Sequence, residues 1–263
     1  MQSSNLIIKS IHEMQKWIES KKSQNPKFNI GFVPTMGALH QGHISLIEKS
    51  NQQNDFTVVS IFINPTQFNN PDDLIKYPKT LHADLELINK NAKVDVVFCP
   101  TYEELYVDQY RYKMTESLLS KRLCGAHRPG HFDGVLSVVL KLFLIVRPNQ
   151  AYFGEKDYQQ FLLIKGLVES YFLNITLVPC PTIREPNGLA MSSRNSRLSK
   201  QGFENAHLIY KMLSTKYDIS EIKQVLNSNG FEIEYIEDFE NRRFIAVHLE
   251  GVRLIDNIEV QKR

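Results

Sequence analysis

Between residue 30 and about residue 179 the chain alternates short β-branched runs with longer stretches whose apolar residues fall three and four apart. Residues 30–33, 57–63, 94–99 and 175–178 read as core strands, and 150–153 as a fifth. Residues 43–54, 81–91, 132–146 and 157–171 carry the helical period between them. Pro34, Pro65, Pro100, Pro148 and Pro179 are expected just after these elements, where a missing amide does least harm. Strand and helix in alternation predict an α/β domain, a Rossmann-like parallel sheet with helices on both faces, spanning residues 1–180. Beyond residue 181 the pattern changes. A polar loop leads to two helix-like stretches, 200–214 and 220–229, and three strand-like pieces, 231–236, 243–249 and 252–255. They predict a smaller α+β C-terminal domain over 181–263.

Composition narrows the classes. With 42% hydrophobic residues in 263, the chain can bury a large core without staples. Thirty-one Lys and Arg against 29 Asp and Glu leave a formal charge of +2, and no basic stripe with interleaved aromatics suggests nucleic acid. Cys99, Cys124 and Cys180 lie far apart and read as reduced structural thiols. The most apolar stretch, 135–146, carries Lys141 and is too short for a bilayer, so no membrane is expected. The start of the chain lacks a secretory pattern, and a cytoplasmic setting is the default.

Three segments carry candidate chemistry. Pro34-Thr35-Met36-Gly37-Ala38-Leu39-His40-Gln41-Gly42-His43 leaves the first expected strand and opens the first expected helix, where open α/β sheets bind ligands. Gly37 and Gly42 would let backbone approach phosphate, and the helix start would offer unpaired N–H groups. His40 and His43 can both donate to phosphates that gather charge when ATP is attacked at its α-phosphate. An isolated His-x-x-His reads equally as a surface turn; a zinc pair would need further ligands that are not near in sequence. Gly154-Glu155-Lys156-Asp157-Tyr158-Gln159-Gln160 opens another helix after a strand. Lys156 offers a charge for phosphate, Asp157 a cap or a ribose contact, and Gln160 a polar substrate contact, although a plain capped helix would look the same. Ala190-Met191-Ser192-Ser193-Arg194-Asn195 places two hydroxyls and a guanidinium together, which suits a triphosphate or a solvated linker.

The first segment resembles the HIGH motif of nucleotidyltransferases and class I aminoacyl-tRNA synthetases, and residues 190–195 look like a variant KMSKS loop. Together with Phe62-Ile63-Asn64-Pro65-Thr66-Gln67-Phe68, Arg128-Pro129-Gly130-His131-Phe132, Tyr77-Pro78-Lys79-Thr80 and Arg253-Leu254-Ile255-Asp256-Asn257, the segments resemble pantothenate synthetases in content and order over nearly the whole chain. The resemblance implies an ATP-dependent ligase that joins pantoate to β-alanine through a pantoyl adenylate, with ATP as substrate and Mg2+ beside it. A HIGH-motif adenylyltransferase acting on a phosphorylated acceptor is the alternative. Carried over by motif, Met36, Gly37, Ala38, Leu39, His40, Gln41, Gly42 and His43 would hold ATP, with His43 the acid and His40 assisting. Gly154, Glu155, Lys156, Asp157, Ile183, Met191, Ser192, Ser193 and Arg194 would complete the nucleotide site, with Lys156 and Arg194 neutralising charge. Gln67 and Gln160 would bind pantoate, Gln67 would also approach β-alanine, and Asn64 would support that pocket. Asp84 reads as a magnesium-side carboxylate or a helix-surface acid, and no protein metal ligand is assigned. His131 would cover the site or cap the following helix. The family also implies a homodimer; an adenylate that water would hydrolyse predicts a lid, for which residues 191–194 and the rather short C-terminal domain are the candidates.

Overall fold

The computed structural model describes residues 6–260. In chain order they form β1 (Leu6–Ile8), α1 (Ile11–Gln24), β2 (Ile30–Thr35), α2 (Gln41–Gln53), β3 (Phe56–Ile61), α3 (Pro71–Ile75), α4 (Leu81–Asn91), β4 (Val96–Phe98), α5 (Tyr102–Leu105), α6 (Cys124–His127), α7 (His131–Val146), β5 (Gln150–Gly154), α8 (Tyr158–Ser170) and β6 (Thr176–Cys180). Then follow α9 (Lys200–Asn205), α10 (His207–Leu213), α11 (Ile219–Ser228), β7 (Glu232–Phe239), β8 (Arg242–Leu249) and β9 (Val252–Glu259). The first six strands make one parallel sheet in the order β1-β4-β3-β2-β5-β6. Side chains alternate across it. Phe32, Val58, Val96, Phe98, Ala151 and Phe153 face a core shared with α1, α7 and α8. Val33, Val59, Val97 and Tyr152 face the opposite core, shared with α2 and α4. The expected α/β layering is therefore present, and chain order reverses between β2 and β5, which opens a crevice at their carboxyl ends.

Several boundaries differ from the sequence reading. Neither β1 nor α1 was expected. The strand expected at 57–63 ends at Ile61, because Asn64-Pro65-Thr66-Gln67 folds into a 3₁₀ turn over Pro65–Gln67. The helix expected at 200–214 divides at Ala206, where the Ile209 amide bonds the Ala206 carbonyl in a tight 3₁₀ fashion. Pro34 and Pro179 lie inside strands, not after them. Pairing of β2 with β5 ends at Phe32 and Ala151, so Pro34 lacks no ladder bond, while Pro179 occupies an edge strand.

The C-terminal strands β7, β8 and β9 form an antiparallel sheet with short hairpin turns. Its two faces are divided between cores. Tyr235, Phe244 and Ala246 join the core of the large sheet, whereas Ile236, Ile245 and Val247 pack with α10 and α11.

Helix α7 approaches the Pro65–Gln67 turn so closely that a Cβ on Gly134 would lie 2.4 Å from the Thr66 carbonyl oxygen and 2.6 Å from the Gln67 nitrogen. Neither backbone atom can yield without moving Gln67. Gly134→Ala is expected to cost about 1–3 kcal/mol of stability, read as a lower urea midpoint, and to displace the Gln67 turn.

Candidate functional site

The crevice between β2 and β5 holds a cavity of about 250 Å³. Its lining brings together Met36, His40, Gly42, His43, Gln67, Gly154, Lys156, Asp157, Gln160, Ile183, Met191, Ser192, Ser193 and Arg194, all singled out from sequence. A polar chamber of about 330 Å³ adjoins it and shares Arg128, Lys156, Asp157, Ser192 and Arg194 with it.

The two histidines are set by the start of α2. His40 is the N-cap, and its Nδ1 accepts from the Gly42 amide at 3.1 Å; His43 Nδ1 accepts from the His40 amide at 3.2 Å. An imidazole that accepts at Nδ1 carries its proton at Nε2 when neutral. Both rings thus present Nε2–H donors, with ring centroids 4.1 Å apart. Burial, then Lys156, pulls His40 down to about 4, against a smaller opposing effect of Asp157. Burial, His40 and Lys156 hold His43 well below 6.5. The resting site therefore holds two neutral donors, not an imidazolium acid. Gly42 is required because a Cβ there would lie 2.9 Å from the His40 ring. The helix start does not offer free amides at Gly42 and His43, since His40 Nδ1 and the His40 carbonyl take them.

Gly37, Ala38, Leu39, Gln41 and Glu155 do not line the cavity. Gly37 faces Asp84, with its Cβ position 3.0 Å from Oδ2. The Ala38 and Leu39 amides donate to the Asp84 carboxylate at 3.0 and 2.8 Å, so they are withheld from phosphate. Gln41 is exposed, and Glu155 pairs with Arg242 at 3.3 Å. Asp84 is not a surface acid: it is 3% exposed and also accepts from Thr80. It holds Ala38 at φ 51°, a left-handed conformation that costs a non-glycine residue roughly 1 kcal/mol or more.

At the other end of the cavity, Asn64 donates from Nδ2 to Gln67 Oε1 at 3.1 Å and to the Gly134 carbonyl at 3.1 Å. Its own oxygen accepts from Thr66 and Tyr106. This fixes the Gln67 amide so that Nε2 faces the weak acceptor Met36 Sδ and can serve a ligand. His131 lines the cavity and does not cap α7 with its side chain. Its Nδ1 donates to the Gln67 carbonyl at 2.7 Å, and Nε2 accepts from Arg128. Burial and then Arg128 push His131 to about 3. Gln159 is consumed by the Cys124 amide and the Leu119 and Arg122 carbonyls, whereas Gln160 lines the cavity. Val135, Val138, Val139 and Leu142 of α7 supply an apolar wall that sequence reasoning missed, because a helix stripe facing a cavity has the same period as one facing a neighbour.

Two remote elements hold the cationic residues. Asn257 of β9 donates to the Glu155 and Lys156 carbonyls, each at 2.9 Å, and so sets the turn that carries Lys156. Asp73 of α3 bonds Arg194 at 2.8 Å and Arg197 at 2.9 Å. Burial raises the Asp73 carboxyl, but these two guanidiniums outweigh it and hold it below its usual value.

Two outcomes follow from these contacts. Asp84→Asn places an amide N–H₂ among three donors, with an expected loss of about 1–3 kcal/mol in urea unfolding and weaker nucleotide binding by calorimetry. The folded chain keeps His40, His43 and His131 neutral, while the unfolded chain takes protons below about 6.5. Acid therefore favours unfolding, and stability should fall between pH 6.5 and about 4 by up to about 1.4 kcal/mol per pH unit for each histidine. His131→Gln should reduce that slope by one proton in urea titrations at successive pH values.

Comparison with known proteins agrees with this geometry. The family described as Pantoate-beta-alanine ligase matches residues 6–259. A pantothenate synthetase of Bdellovibrio bacteriovorus is 50% identical over 254 residues, covering 97% of this chain and 99% of the relative. A structure of the pantoate-beta-alanine ligase of Francisella tularensis, complexed with beta-gamma ATP and beta-alanine, superposes with a TM-score of 0.91 at 44% identity over 97% of each chain. The pantothenate synthetase of Thermus thermophilus gives 0.87 at 35% identity, covering 98% of this chain and all of that one. With a family match across the described residues and one architecture throughout, the chain belongs to the pantoate–β-alanine ligase family.

Proposed function

We propose that the chain condenses pantoate with β-alanine in two steps within the β2–β5 crevice. A pantoate carboxylate oxygen attacks the α-phosphorus of ATP, the bond to the β-phosphate bridge breaks, and pyrophosphate leaves with the electron pair. The β-alanine amine then attacks the acyl carbon, the bond from that carbon to the phosphate oxygen breaks, AMP leaves, and the amine gives up a proton. The observation that carries this reading is the convergence on one cavity of two Nε2–H donors, Lys156 and Arg194 with two glutamines, Gln67 and Gln160. Lys156, Arg194, Ser192 and Ser193 suit the triphosphate. The histidine donors suit charge that develops on the transferring and leaving phosphates, where fixed dipoles act without reorganising. Gln67 and Gln160 offer amides for the hydroxyl and carboxylate of pantoate, with the apolar stripe of α7 beside its methyl groups. Neutral amides there disfavour a phosphorylated acceptor.

Magnesium fits as a cation carried chiefly by phosphate oxygens, which suits its preference for oxygen ligands. Among the described residues no three His, Cys, Asp or Glu side chains gather to hold it, and Asp157 is the one carboxylate in the cavity lining. When bound it would neutralise phosphate charge. Residues 191–194, latched to Asp73, are the natural lid that keeps water from the adenylate. The homodimer and cytoplasmic setting of the family belong to the same reading.

The test is pantoate-dependent exchange of pyrophosphate into ATP, followed by β-alanine-dependent release of AMP. Exchange that proceeds without pantoate would reject the reading. His43→Ala removes one donor and should lower kcat by about 10²–10³ while the circular dichroism spectrum stays unchanged; a near-normal kcat would remove His43 from the chemistry.

A further inference from the structure

Arg128 differs from the other arginines around the cavity. Arg194 and Arg197 are paired with Asp73, Arg253 with Glu234 and Arg242 with Glu155, all within ion-pair distance. Arg128 has no such carboxylate among the described residues. Its three hydrogen bonds go to neutral acceptors: Nε to Asn69 Oδ1 at 3.1 Å, one Nη to His131 Nε2 at 3.1 Å, and the other Nη to the Gln67 carbonyl at 3.4 Å. Of its five N–H groups two remain, one on each terminal nitrogen, which is the number that a carboxylate accepts side by side. The guanidinium stands where the two chambers meet and lines both. Burial, then Arg253 and Arg194, bring its pKa down to about 10, so the charge is held at a cost that an incoming anion would relieve.

Resting on the ligase reading above, we infer that Arg128 docks the carboxylate of the amino acid acceptor. Triphosphate has Lys156, Ser192, Ser193 and Arg194, and pantoate's own carboxylate is consumed in forming the adenylate. The acceptor's carboxylate is then the one anion present in the second step with no partner assigned. Arg128 grips the backbone of Gln67, so a carboxylate on its free N–H groups lies next to the residue that borders the acyl group. Two methylenes separate that carboxylate from the attacking amine, and the polar chamber gives a zwitterion a route inward. Arg128 would in this way select amines that carry an acid at the right distance.

The experiment compares β-alanine with its primary amide as acceptor, using AMP release in the full chain. The unsubstituted protein should prefer β-alanine by about 30-fold or more in kcat/KM, as expected of a charged partner left unpaired by the analogue. Arg128→Ala should bring the two acceptors within about threefold of each other by raising the KM for β-alanine, and Arg128→Lys should retain part of the preference. Equal loss on both acceptors would mean that Arg128 only braces Gln67, and would overturn the inference. Equal use of both acceptors by the unsubstituted protein would overturn it without any variant. Absence of pantoate-dependent exchange in the unsubstituted protein would instead sink the ligase reading and this inference with it.

Discussion

Two backbone amides decide what the histidines can do. By donating to Nδ1 of His40 and His43, the Gly42 and His40 amides leave each neutral ring its proton at Nε2. The same contacts cap α2, so the helix start and the donor geometry are one structure. Protonation at Nδ1 would break a cap bond, which adds a structural penalty to the electrostatic one. Much of the rest of the crevice can be understood as support for this turn and for its counterpart at Lys156.

That support is supplied by polar groups that touch no substrate in the proposed scheme. Asp84 reaches from α4 to hold the Ala38–Leu39 turn, Asn64 fixes the face of the Gln67 amide, and Asn257 reaches from the C-terminal sheet to the Lys156 turn. Each spends a buried side chain on backbone or on a neighbouring amide, so each is satisfied before any ligand arrives. Preorganisation of this kind keeps the reacting groups in place at the moment charge moves.

The sheet and its helices were legible because alternation across a parallel sheet and a 3.6-residue period both survive in a chain of mixed composition. Some strand ends and β1 were not: β1 has three residues, and Pro34 and Pro179 concealed strand ends because Pro34 lies beyond the last β2–β5 pair and Pro179 lies on an edge strand, where no ladder bond is needed. Residues whose side chains enter the cavity, such as His40, His43, Lys156 and Arg194, sat in segments that already suggested phosphate. Misread were residues that serve the site from behind. Ala38 and Leu39 were expected among the residues that hold ATP, yet Asp84, more than forty positions away, takes their amides. His131 lines the cavity and braces Gln67, and Asp84 is buried instead of lying on the helix surface, because in each case the deciding partner was a main-chain group brought by another element.

The division of the C-terminal sheet between two cores also bears on how the site opens. One face is buried against the large sheet and Asn257 reaches into the Lys156 turn, so swinging the whole sheet away would expose apolar surface and break the turn itself. Movement of residues 191–194 would instead break the Ser193–Tyr77 and Met191–Ile183 hydrogen bonds, together with the ion pairs from Arg194 and Arg197 to Asp73, which retain partial solvent access. Such pairs weaken as mobile ions accumulate around them. If this segment closes the crevice as proposed, the ease with which the nucleotide enters would depend in part on ionic strength, through three side chains whose pairing is separate from the packing that holds the fold.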